Sequence, residues 1–407
     1  MRILFSFAGG SGHLIPLVPI AHAAEAAGHQ VAFACTPGTA GRVEAAGFTA
    51  VVAETPPAEA PPQVAPQAPP QVAPAPSPER SPLRPIDHAQ IDREIREIFA
   101  GRAARRNAAR MLDICPGWQP DLVVCDEADF GCMVAAERLG LPYASVLVLA
   151  AGSLIRPDLV TEPLDELRAA YDLPPDPGLG MLSRYLVLSP APRSYRDPAF
   201  PLPATAHSIR PVTPHPPVAP AIAPWAGRSD GRPGVYLTLG TEFNMESGDL
   251  FPRLIAGLGE LDINLLVTVG QQIDPAEFGR QPAHVRIERY VPQALVLPGC
   301  DLVLSHAGSG SVLGALEHGL PMVLAPMGAD QPANAGRCAA LGVARVLDAY
   351  AVTPAAAAEA VTGVLTDDGY RRAAGRLRDE IAALPGPEHA IPLLEWLAAQ
   401  RRPVLAD

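Results

Sequence analysis

Apolar runs that alternate with helical patterns are the feature that most constrains how this chain can fold. RILFSF at 2–7 is followed by a helical pattern, and VAFAC at 31–35 and FTAVVA at 48–53 continue the alternation. DLVVCD at 121–126 and ASVLVLA at 144–150 flank another helical stretch. Strands that alternate with helices form βαβ units, whose strands pair in a parallel sheet. The first half is therefore predicted to be a doubly wound α/β domain.

The same alternation restarts after a Pro-rich stretch near mid-chain, which indicates a domain boundary with a linker. The strand candidates there are VYLTLGT (235–241), NLLVTVG (264–270), VRIERYV (285–291), DLVLSH (301–306) and MVLAPM (322–327). Two Rossmann-like domains are therefore expected to face each other across a cleft. The predicted organisation is an N-terminal domain at 1–210, a linker at 211–233, a C-terminal domain at 234–388 and a helix at 389–407 that crosses back to the first domain.

Residues 54–86 interrupt the pattern of the first domain. The stretch APPQVAP occurs there twice, at 60–66 and 68–74, and proline at this density blocks helices and sheet ladders. Two interpretations stay open. The segment is either a disordered surface insertion, because Pro-rich tracts rarely pack, or a flap over a substrate pocket, because long loops in α/β folds often carry function. A helical pattern follows at about 87–114.

Composition narrows the classes of function. The 407 residues carry a formal net charge of −12 and no Lys. A nucleic-acid groove or an anionic membrane surface is therefore not expected as the main partner, and a Walker Lys or a Lys Schiff base is excluded. The six Cys form no CxxC pair and have no His at metal-ligand spacing. We expect a cytoplasmic protein with reduced thiols, no integral membrane segment, no metal and no other cofactor.

The stretch DLVLSHAGSGSVLGALEHG at 301–319 places a His, several Gly and several Ser between an apolar strand and a helix. Free N–H groups and the positive end of the helix dipole favour an anion there. Glycines let a phosphate approach the backbone, and the hydroxyl groups of Ser309 and Ser311 can donate to it. A tight turn around a buried His would have the same composition. The stretch contains no GK[ST] of a Walker loop, and it lies too far along the chain for a dinucleotide fingerprint.

Neighbouring motifs decide between these interpretations. YVPQ at 290–293 precedes the stretch, and PMGADQPANAG at 326–336 follows it. Together they resemble the nucleotide-diphosphate-sugar motif of UGT-type glycosyltransferases, and the whole chain is similar to the actinobacterial enzymes that attach deoxysugars to antibiotics and other secondary metabolites. The resemblance is specific in the second half, weaker in the first and absent in the Pro-rich insertion. It implies the GT-B fold and an inverting, metal-independent transfer from an NDP-sugar donor to a hydrophobic small-molecule acceptor.

The resemblance also implies which residues bind the donor. Those implied for the nucleotide and diphosphate are Gly240, Thr241, Val291, Gln293, His306, Gly308, Ser309, Gly310 and Ser311. Asp330 and Gln331 are implied to bind hydroxyl groups of the donor sugar, which suits a carboxylate and an amide. Many UDP-sugar users place a Glu eight residues after the motif His, where this chain has Gly314. Because a deoxyribose lacks the 2′-hydroxyl, Gly314 favours a dTDP-sugar, although Glu317 could compensate.

GGSGH directly follows the first predicted strand and opens a helix. His13 is therefore predicted at the carboxyl edge of the sheet, where open α/β folds bind ligands. The family uses a His here as general base on the acceptor hydroxyl, and a neutral imidazole suits that role at physiological pH. The resemblance implies Asp126 as the carboxylate that orients it, with Glu127 and Asp129 as nearby competitors. It also places Gly12 at the acceptor pocket.

Two other functions stay open on the same fold. An NDP-sugar 2-epimerase would need further carboxylates around the sugar, and no clear set is visible in the sequence. A non-catalytic auxiliary protein would not need His13, Asp126 and the Asp330–Gln331 pair, so their presence disfavours it. The sequence leaves open the sugar, the acceptor, the linkage atom and the oligomeric state, including a homodimer.

Overall fold

The computed structural model describes residues 1–53, 80–213, 225, 227, 230–241 and 243–406. The predictions made for the Pro-rich insertion over 54–79 and for most of the linker, from 214 onward, lie outside the described residues. Within the described part, the chain forms two parallel β-sheets flanked by helices.

The first sheet is doubly wound. Its seven strands are β1 (Arg2–Ser6), β2 (Gln30–Cys35), β3 (Thr49–Val52), β4 (Leu122–Asp126), β5 (Tyr143–Val146), β6 (Leu186–Ser189) and β7 (Ala206–Ser208). Their order across the sheet is β3-β2-β1-β4-β5-β6-β7, and all neighbours are parallel. The winding reverses between β1 and β4, so the loops that leave these two strands diverge. A crevice for ligands forms at the carboxyl edge of a sheet where this happens.

The second sheet repeats the arrangement. Its six strands are β8 (Gly234–Thr238), β9 (Asn264–Thr268), β10 (Val285–Glu288), β11 (Leu302–Ser305), β12 (Met322–Leu324) and β13 (Ala344–Val346). They are parallel in the order β10-β9-β8-β11-β12-β13, so the winding reverses between β8 and β11. The predicted fold class, two Rossmann-like doubly wound units, is confirmed, whereas the domain boundaries stay predictions.

Helices flank both sheets. Those of the first half are α1 (Ser11–Leu14), α2 (Val18–Ala26), α3 (Pro37–Ala45), α4 (His88–Arg93), α5 (Ala104–Trp118), α6 (Phe130–Arg138) and α7 (Pro157–Ala170), with a π-helix, Glu94–Ala103, between α4 and α5. Those of the second half are α8 (Leu250–Leu258), α9 (Gln293–Val296), α10 (Ser309–Glu317), α11 (Gln331–Ala340), α12 (Pro354–Thr366), α13 (Asp368–Ala383) and α14 (Ala390–Gln400). Short 3₁₀ turns lie at Ile15–Leu17, Gly180–Ser183, Arg193–Tyr195, Asn244–Glu246, Pro275–Phe278, Leu297–Gly299 and Pro387–His389.

The central strands are apolar along their whole length because helices cover both of their faces. All residues of β4 and β11 are buried, as expected of strands inside a parallel sheet. The last helix, α14, packs on the first sheet, where Ile391, Leu394 and Leu397 are buried in one cluster with Ile3 and Phe5. The last helix of the chain therefore completes the core of the first sheet.

The strands differ from the predictions in two ways, because several are shorter than predicted and one was not predicted. The strand predicted at 144–150 ends at Val146. The N–H of Leu147 still donates to the Leu188 carbonyl of β6, but those of 148–150 donate to the side chains of Glu127 and Ser309. In addition, β7 lies within a Pro-rich region for which the sequence predicts no strand. It is only three residues long and lies at the sheet edge, where proline-flanked strands are tolerated.

All six cysteines belong to the described part of the chain, where each is buried and none forms a disulfide. No helix among the described residues is both long and apolar enough to cross a membrane.

We expect Gly131→Ala to destabilise the first half, because α5 and α6 touch at this glycine. A Cβ at Gly131 would lie 2.1 Å from the carbonyl oxygen of Ala104 and 2.7 Å from the nitrogen of Ala108. Overpacking of this kind costs about 1–3 kcal/mol. The measurement is urea unfolding followed by circular dichroism. Gly117→Ala is the control, because a Cβ at that position of α5 would meet no described atom within 4 Å; equal unfolding midpoints for the two variants would contradict the packing argument.

Candidate functional site

His13 and Asp126 meet at the crevice of the first sheet. His13 lies on α1, directly after β1, and Asp126 is the last residue of β4. The imidazole Nδ1 is 3.1 Å from Oδ1 of Asp126, whose side chain has no exposed surface. The backbone N–H groups of Ala8 and Ala128 donate to the same carboxylate at 2.7 and 2.8 Å. Because Nδ1 faces a carboxylate, it holds the proton, and the lone pair remains on Nε2.

Two neighbours fix the imidazole ring of His13. A Cβ at Gly9 would lie 2.2 Å from its Cδ2, so only glycine leaves room for the ring. The ring of Phe99 stacks on the imidazole with 5.7 Å between centroids and 21° between planes. Phe99 lies on the π-helix that follows the Pro-rich insertion and belongs to no motif. Sequence reasoning therefore missed it, and no signal in the sequence points to it.

The pKa of His13 reflects groups on both sides of the cleft. Burial lowers it, but the charge and hydrogen bond of Asp126, together with attraction from Asp330 and Glu127, outweigh burial and raise the pKa above its usual 6.5. Asp330 belongs to the second half of the chain, and its own pKa is raised by burial although His13 attracts its charged form. The charges of the imidazole and of the Asp330 carboxylate, one in each half of the chain, therefore influence each other.

The two competing acids of the first half have other partners. Asp129 accepts hydrogen bonds from the Ser6 hydroxyl at 2.6 Å and the Asn107 amide at 2.9 Å. Glu127 accepts from the backbone N–H groups of 148–149 at 2.7 and 2.6 Å. Burial raises the pKa of Glu127 to about 7, against the attraction of a nearby arginine and these two N–H groups. Of the three acids, Asp126 is the one that contacts the imidazole.

His306 lies between two glycines at the crevice of the second sheet. A Cβ at Gly240 would lie 2.6 Å from its Cε1, and a Cβ at Gly308 would lie 2.5 Å from its Nε2. The Nδ1 atom is buried without a hydrogen-bond partner among the described residues, and burial lowers the pKa of His306 to about 4. The ring is therefore neutral at physiological pH. Gly240 and Gly308 therefore leave room for the His306 ring. This agrees with the second explanation of the Gly-rich stretch, a tight turn around a buried His, and does not by itself indicate phosphate binding.

The helix α10 begins beside this ring. Gly308 is its N-cap residue, and no side chain of the described part caps the helix, so the N–H groups of the first turn lack intrahelical partners. The Ser311 hydroxyl accepts from the Gln293 amide at 3.4 Å. Thr241 is exposed after β8, whereas Val291 is only 5% exposed and packs in the core. The residues predicted to bind the diphosphate thus follow β8 and β11, the two strands between which the winding reverses, whereas Val291 packs in the core.

Ser309 and Asp330 meet at a buried amide, Asn334. The Ser309 hydroxyl donates to Asp330 at 2.7 Å, and Asn334 donates to both of these side chains, at 3.1 and 2.8 Å. The first half reaches the same cluster, because the N–H of Ala150 donates to Ser309 at 3.2 Å and that of Ala151 to Asn334 at 3.4 Å. Sequence reasoning missed Asn334, although its position four residues after Asp330, one helical turn on, is a usable signal.

Two predicted residues stand apart from these contacts. Gln331 is 2% exposed, and its amide oxygen accepts from the N–H groups of Met327 and Gly328 at 2.8 and 3.3 Å. Gly12 is exposed, and a Cβ there would meet no described atom within 4 Å. Among the residues that the structure describes, no three His, Cys, Asp or Glu side chains are grouped so as to hold a metal ion.

We expect Gly308→Ala to lower stability because its methyl group would displace the His306 ring. Backbone strain is not the cause, since φ of Gly308 is −62°. Gly310→Ala is the control, because a Cβ there would meet no described atom within 4 Å. Urea unfolding should show a loss of about 1–3 kcal/mol for Gly308→Ala alone. In a His306→Ala background the loss should largely disappear; if it persists, the ring is not the obstacle.

Known proteins resemble this chain over its whole length. Residues 252–397 match the family model "Erythromycin biosynthesis protein CIII-like, C-terminal domain". The L-demethylnoviosyl transferase of Streptomyces niveus is 31% identical, with 99% of each chain covered. The 3-alpha-mycarosylerythronolide B desosaminyl transferase of Saccharopolyspora erythraea is 29% identical, again with 99% of each chain covered. The glycosyltransferase VinC, solved in complex with dTDP, shares the fold with a TM-score of 0.74 at 23% identity, over 98% of this chain and 100% of that one.

Identity of this level over nearly the whole length decides the family, and the paired crevices of the structure agree with it. The relatives are enzymes that transfer sugars. The chain therefore belongs to the deoxysugar glycosyltransferases of antibiotic biosynthesis, with the GT-B fold.

Proposed function

We propose that this glycosyltransferase moves a deoxysugar from a dTDP-sugar to a hydroxyl group of a hydrophobic natural product, with inversion at the anomeric carbon and without a metal or other cofactor. The observation that carries the proposal is the Asp126–His13 pair, 3.1 Å apart, at the crevice of the first sheet. The loop after β5 donates the Ala150 N–H to Ser309, which in turn donates to Asp330 of the second half. The first half, which carries the proposed base, thus connects through Ser309 to the candidate sugar-binding carboxylate of the second.

His13 is the proposed general base. Asp126 holds the proton on Nδ1, so Nε2 accepts the proton of the acceptor hydroxyl as its oxygen bonds to the anomeric carbon. The bond between that carbon and the diphosphate oxygen breaks in the same step, and the nucleoside diphosphate leaves with the electron pair. Attack opposite to the leaving group inverts the anomeric centre. Asp126 also stabilises the imidazolium that forms, which its burial beside the ring favours.

The second crevice is proposed to stabilise the leaving diphosphate. The uncapped start of α10 offers N–H groups and the positive end of its dipole. His306 is neutral and donates one N–H, and Thr241 is exposed at the same edge. Donors that are already in place where charge develops stabilise a transition state without reorganisation. We propose that this arrangement does the work that a metal ion does in other sugar transferases.

Apolar side chains near His13 support a hydrophobic acceptor. Ile15 is 43% exposed two residues after the base, and Ile98 is 37% exposed next to the stacked Phe99. Exposed apolar side chains around a polar reactive group are typical of small-molecule sites. The acceptor is therefore proposed to lie against α1 and the π-helix, with Gly12 at the open side.

The surroundings of Gly314 support dTDP as the nucleotide. A Cβ at Gly314 would lie 3.3 Å from both the Thr213 hydroxyl and a methyl group of Leu297. The same hydroxyl donates to Glu317 at 2.8 Å. The Glu317 carboxylate is thus already hydrogen-bonded to Thr213. Thr213 also lies where the side chain of a Glu at position 314 would begin, so we propose that the site has no carboxylate for a ribose 2′-hydroxyl. VinC, which shares the fold, was solved with dTDP.

His13→Ala should lower kcat at least about 100-fold, because general-base catalysis is lost. Binding of dTDP, followed by calorimetry, should stay unchanged because the nucleotide contacts lie on the second half. The control is His22→Ala, a substitution of an exposed histidine on α2.

The same activity assay tests metal independence and the isomerase alternative. Wild-type rates should be the same with and without EDTA, and incubation of the donor alone should yield no epimer. Full activity of His13→Ala with an oxygen acceptor would refute the base assignment, and epimer formed without acceptor would favour the isomerase alternative.

The pH profile should show a rising limb with a midpoint above pH 6.5, because the pKa of His13 is raised and the neutral imidazole is the base. Asp126→Asn removes the charge that opposes burial, so the pKa falls and the limb should move to lower pH while kcat decreases. The measurement is kcat/KM between pH 5 and 9 for both proteins. A limb at the same pH in the variant would show that another group titrates.

A further inference from the structure

The last part of the Pro-rich insertion, which the structure describes from Arg80 onward, contacts the opposite half of the molecule. Arg80–Leu83, here called the clamp, precedes α4 of the first half, yet its contacts lie on the loop between β8 and α8. The N–H of Ser81 donates to the Met245 carbonyl at 2.8 Å, and the N–H of Gly248 donates to the Ser81 carbonyl at 3.1 Å. The backbone is therefore paired in both directions, as between two strands.

Arg80 joins two loops of the second half. Its Nε donates to the Gly248 carbonyl at 2.9 Å, and its Nη1 lies 3.0 Å from the Glu277 carboxylate. Its guanidinium also lies 5.4 Å from the centre of the Phe278 ring. With side-chain exposures of 18% and 34%, the Arg80–Glu277 pair is partly shielded from water, so it is stronger than a fully exposed pair. The loops after β8 and β9 are thereby held together by one side chain.

Leu83 completes the contact by packing on the core around α8. Gly248 has φ of +49°, and a Cβ there would lie 2.7 Å from the Leu83 nitrogen. A residue other than glycine would be strained in this left-handed conformation and would push the clamp away. The loop is thus shaped to receive this segment of the first half.

The loop that the clamp holds borders the proposed donor site. It begins at Gly240 and Thr241, and its Phe243 ring would touch a Cβ at Gly328 at 3.2 Å, two residues before Asp330. Asn244 of this loop is buried, and its side-chain amide donates to the Val269 carbonyl, after β9, at 3.0 Å. Met245 and Gly248 of the same loop, by contrast, are held by the clamp, through two backbone hydrogen bonds with Ser81 and one hydrogen bond from the Arg80 side chain.

We infer that Arg80 and Leu83 are positioning residues for the donor: the clamp holds the loop after β8 in the shape that presents Thr241 to the diphosphate. This inference rests on the proposed function. A loop that is already held in its binding conformation loses less conformational entropy when the donor binds, so the donor binds more tightly. The clamp continues into the helices that carry Phe99, so one segment contributes to the surroundings of the base and of the donor loop.

The test compares Arg80→Gln with Arg232→Gln. Arg232 also pairs with an acid of the second half, Asp262, at 2.9 Å, but both residues lie at the amino ends of β8 and β9, away from the cleft. For Arg80→Gln we expect the Kd of dTDP and the KM for the donor to rise about tenfold, as for loss of a charge-assisted contact. The kcat and the KM for the acceptor should change less than about twofold, and Arg232→Gln should match wild type in all four quantities.

Hydrogen–deuterium exchange reads out the loop without turnover. In Arg80→Gln, peptides covering 243–248 should exchange faster, since the Gly248 N–H loses its fixed partner, and bound dTDP should slow that exchange in wild type. Arg80→Lys should restore part of the affinity, because a lysine keeps the pairing with Glu277 but cannot also make the Nε contact. Glu277→Gln serves as a second variant that leaves Arg80 in place.

The outcomes separate the two proposals. Unchanged dTDP affinity and donor KM in both Arg80→Gln and Glu277→Gln would overturn the clamp, even if exchange becomes faster, because the contact would then be structural only. A wild-type protein that binds UDP in place of dTDP would overturn the proposed donor class. In that case the same variants, measured with the accepted nucleotide, decide the clamp.

Discussion

A carboxylate with no exposed surface, Asp126, connects the loops at the first crevice. Burial of a charge is unfavourable unless hydrogen bonds replace the lost water. Asp126 obtains them from the loop after β1, through Ala8, from its own loop, through Ala128, and from His13. The same three contacts that make its burial tolerable also fix the position and tautomer of the imidazole. The reactive geometry follows from the need to satisfy this carboxylate.

A second buried acid, Glu127, holds the loop that contacts the second half of the chain. Glu127 follows Asp126 and holds the N–H groups of 148–149, and the next two N–H groups of the same loop reach Ser309 and Asn334 of the second half. One short loop thus joins the surroundings of the proposed base to the surroundings of the proposed donor site. Because the two halves share buried hydrogen bonds, a shift of one crevice relative to the other would leave polar groups unpaired, and such groups are unfavourable in the interior.

Sequence reasoning predicted the position of those candidate residues that lie next to a strand end. GGSGH after β1 and SHAGSGS after β11 are contiguous, and the parallel topology alone brings them to facing crevices, so the fold and the pairing partners could be predicted. Phe99 and the clamp could not, because their contacts depend on where a long connection returns. Arg80 and Gly248 are 168 residues apart in the chain, and no local pattern marks either. The glycines around His306 were found, but their packing role requires the position of the ring.

The two histidines, His13 and His306, differ in pKa because their surroundings differ. His13 has a carboxylate partner, which raises its pKa, whereas burial without a counter-charge lowers that of His306 to about 4. In the proposed reaction the proton removed from the acceptor therefore goes to His13, and His306 stays neutral. In the proposed reaction, charge grows on a diphosphate beside His306 as the sugar departs. A hydrogen bond from a neutral N–H to an ionised oxygen is stronger than one to a neutral oxygen. The interaction of His306 with the leaving group therefore strengthens as the bond breaks, which is the condition for stabilising a transition state more than a bound substrate.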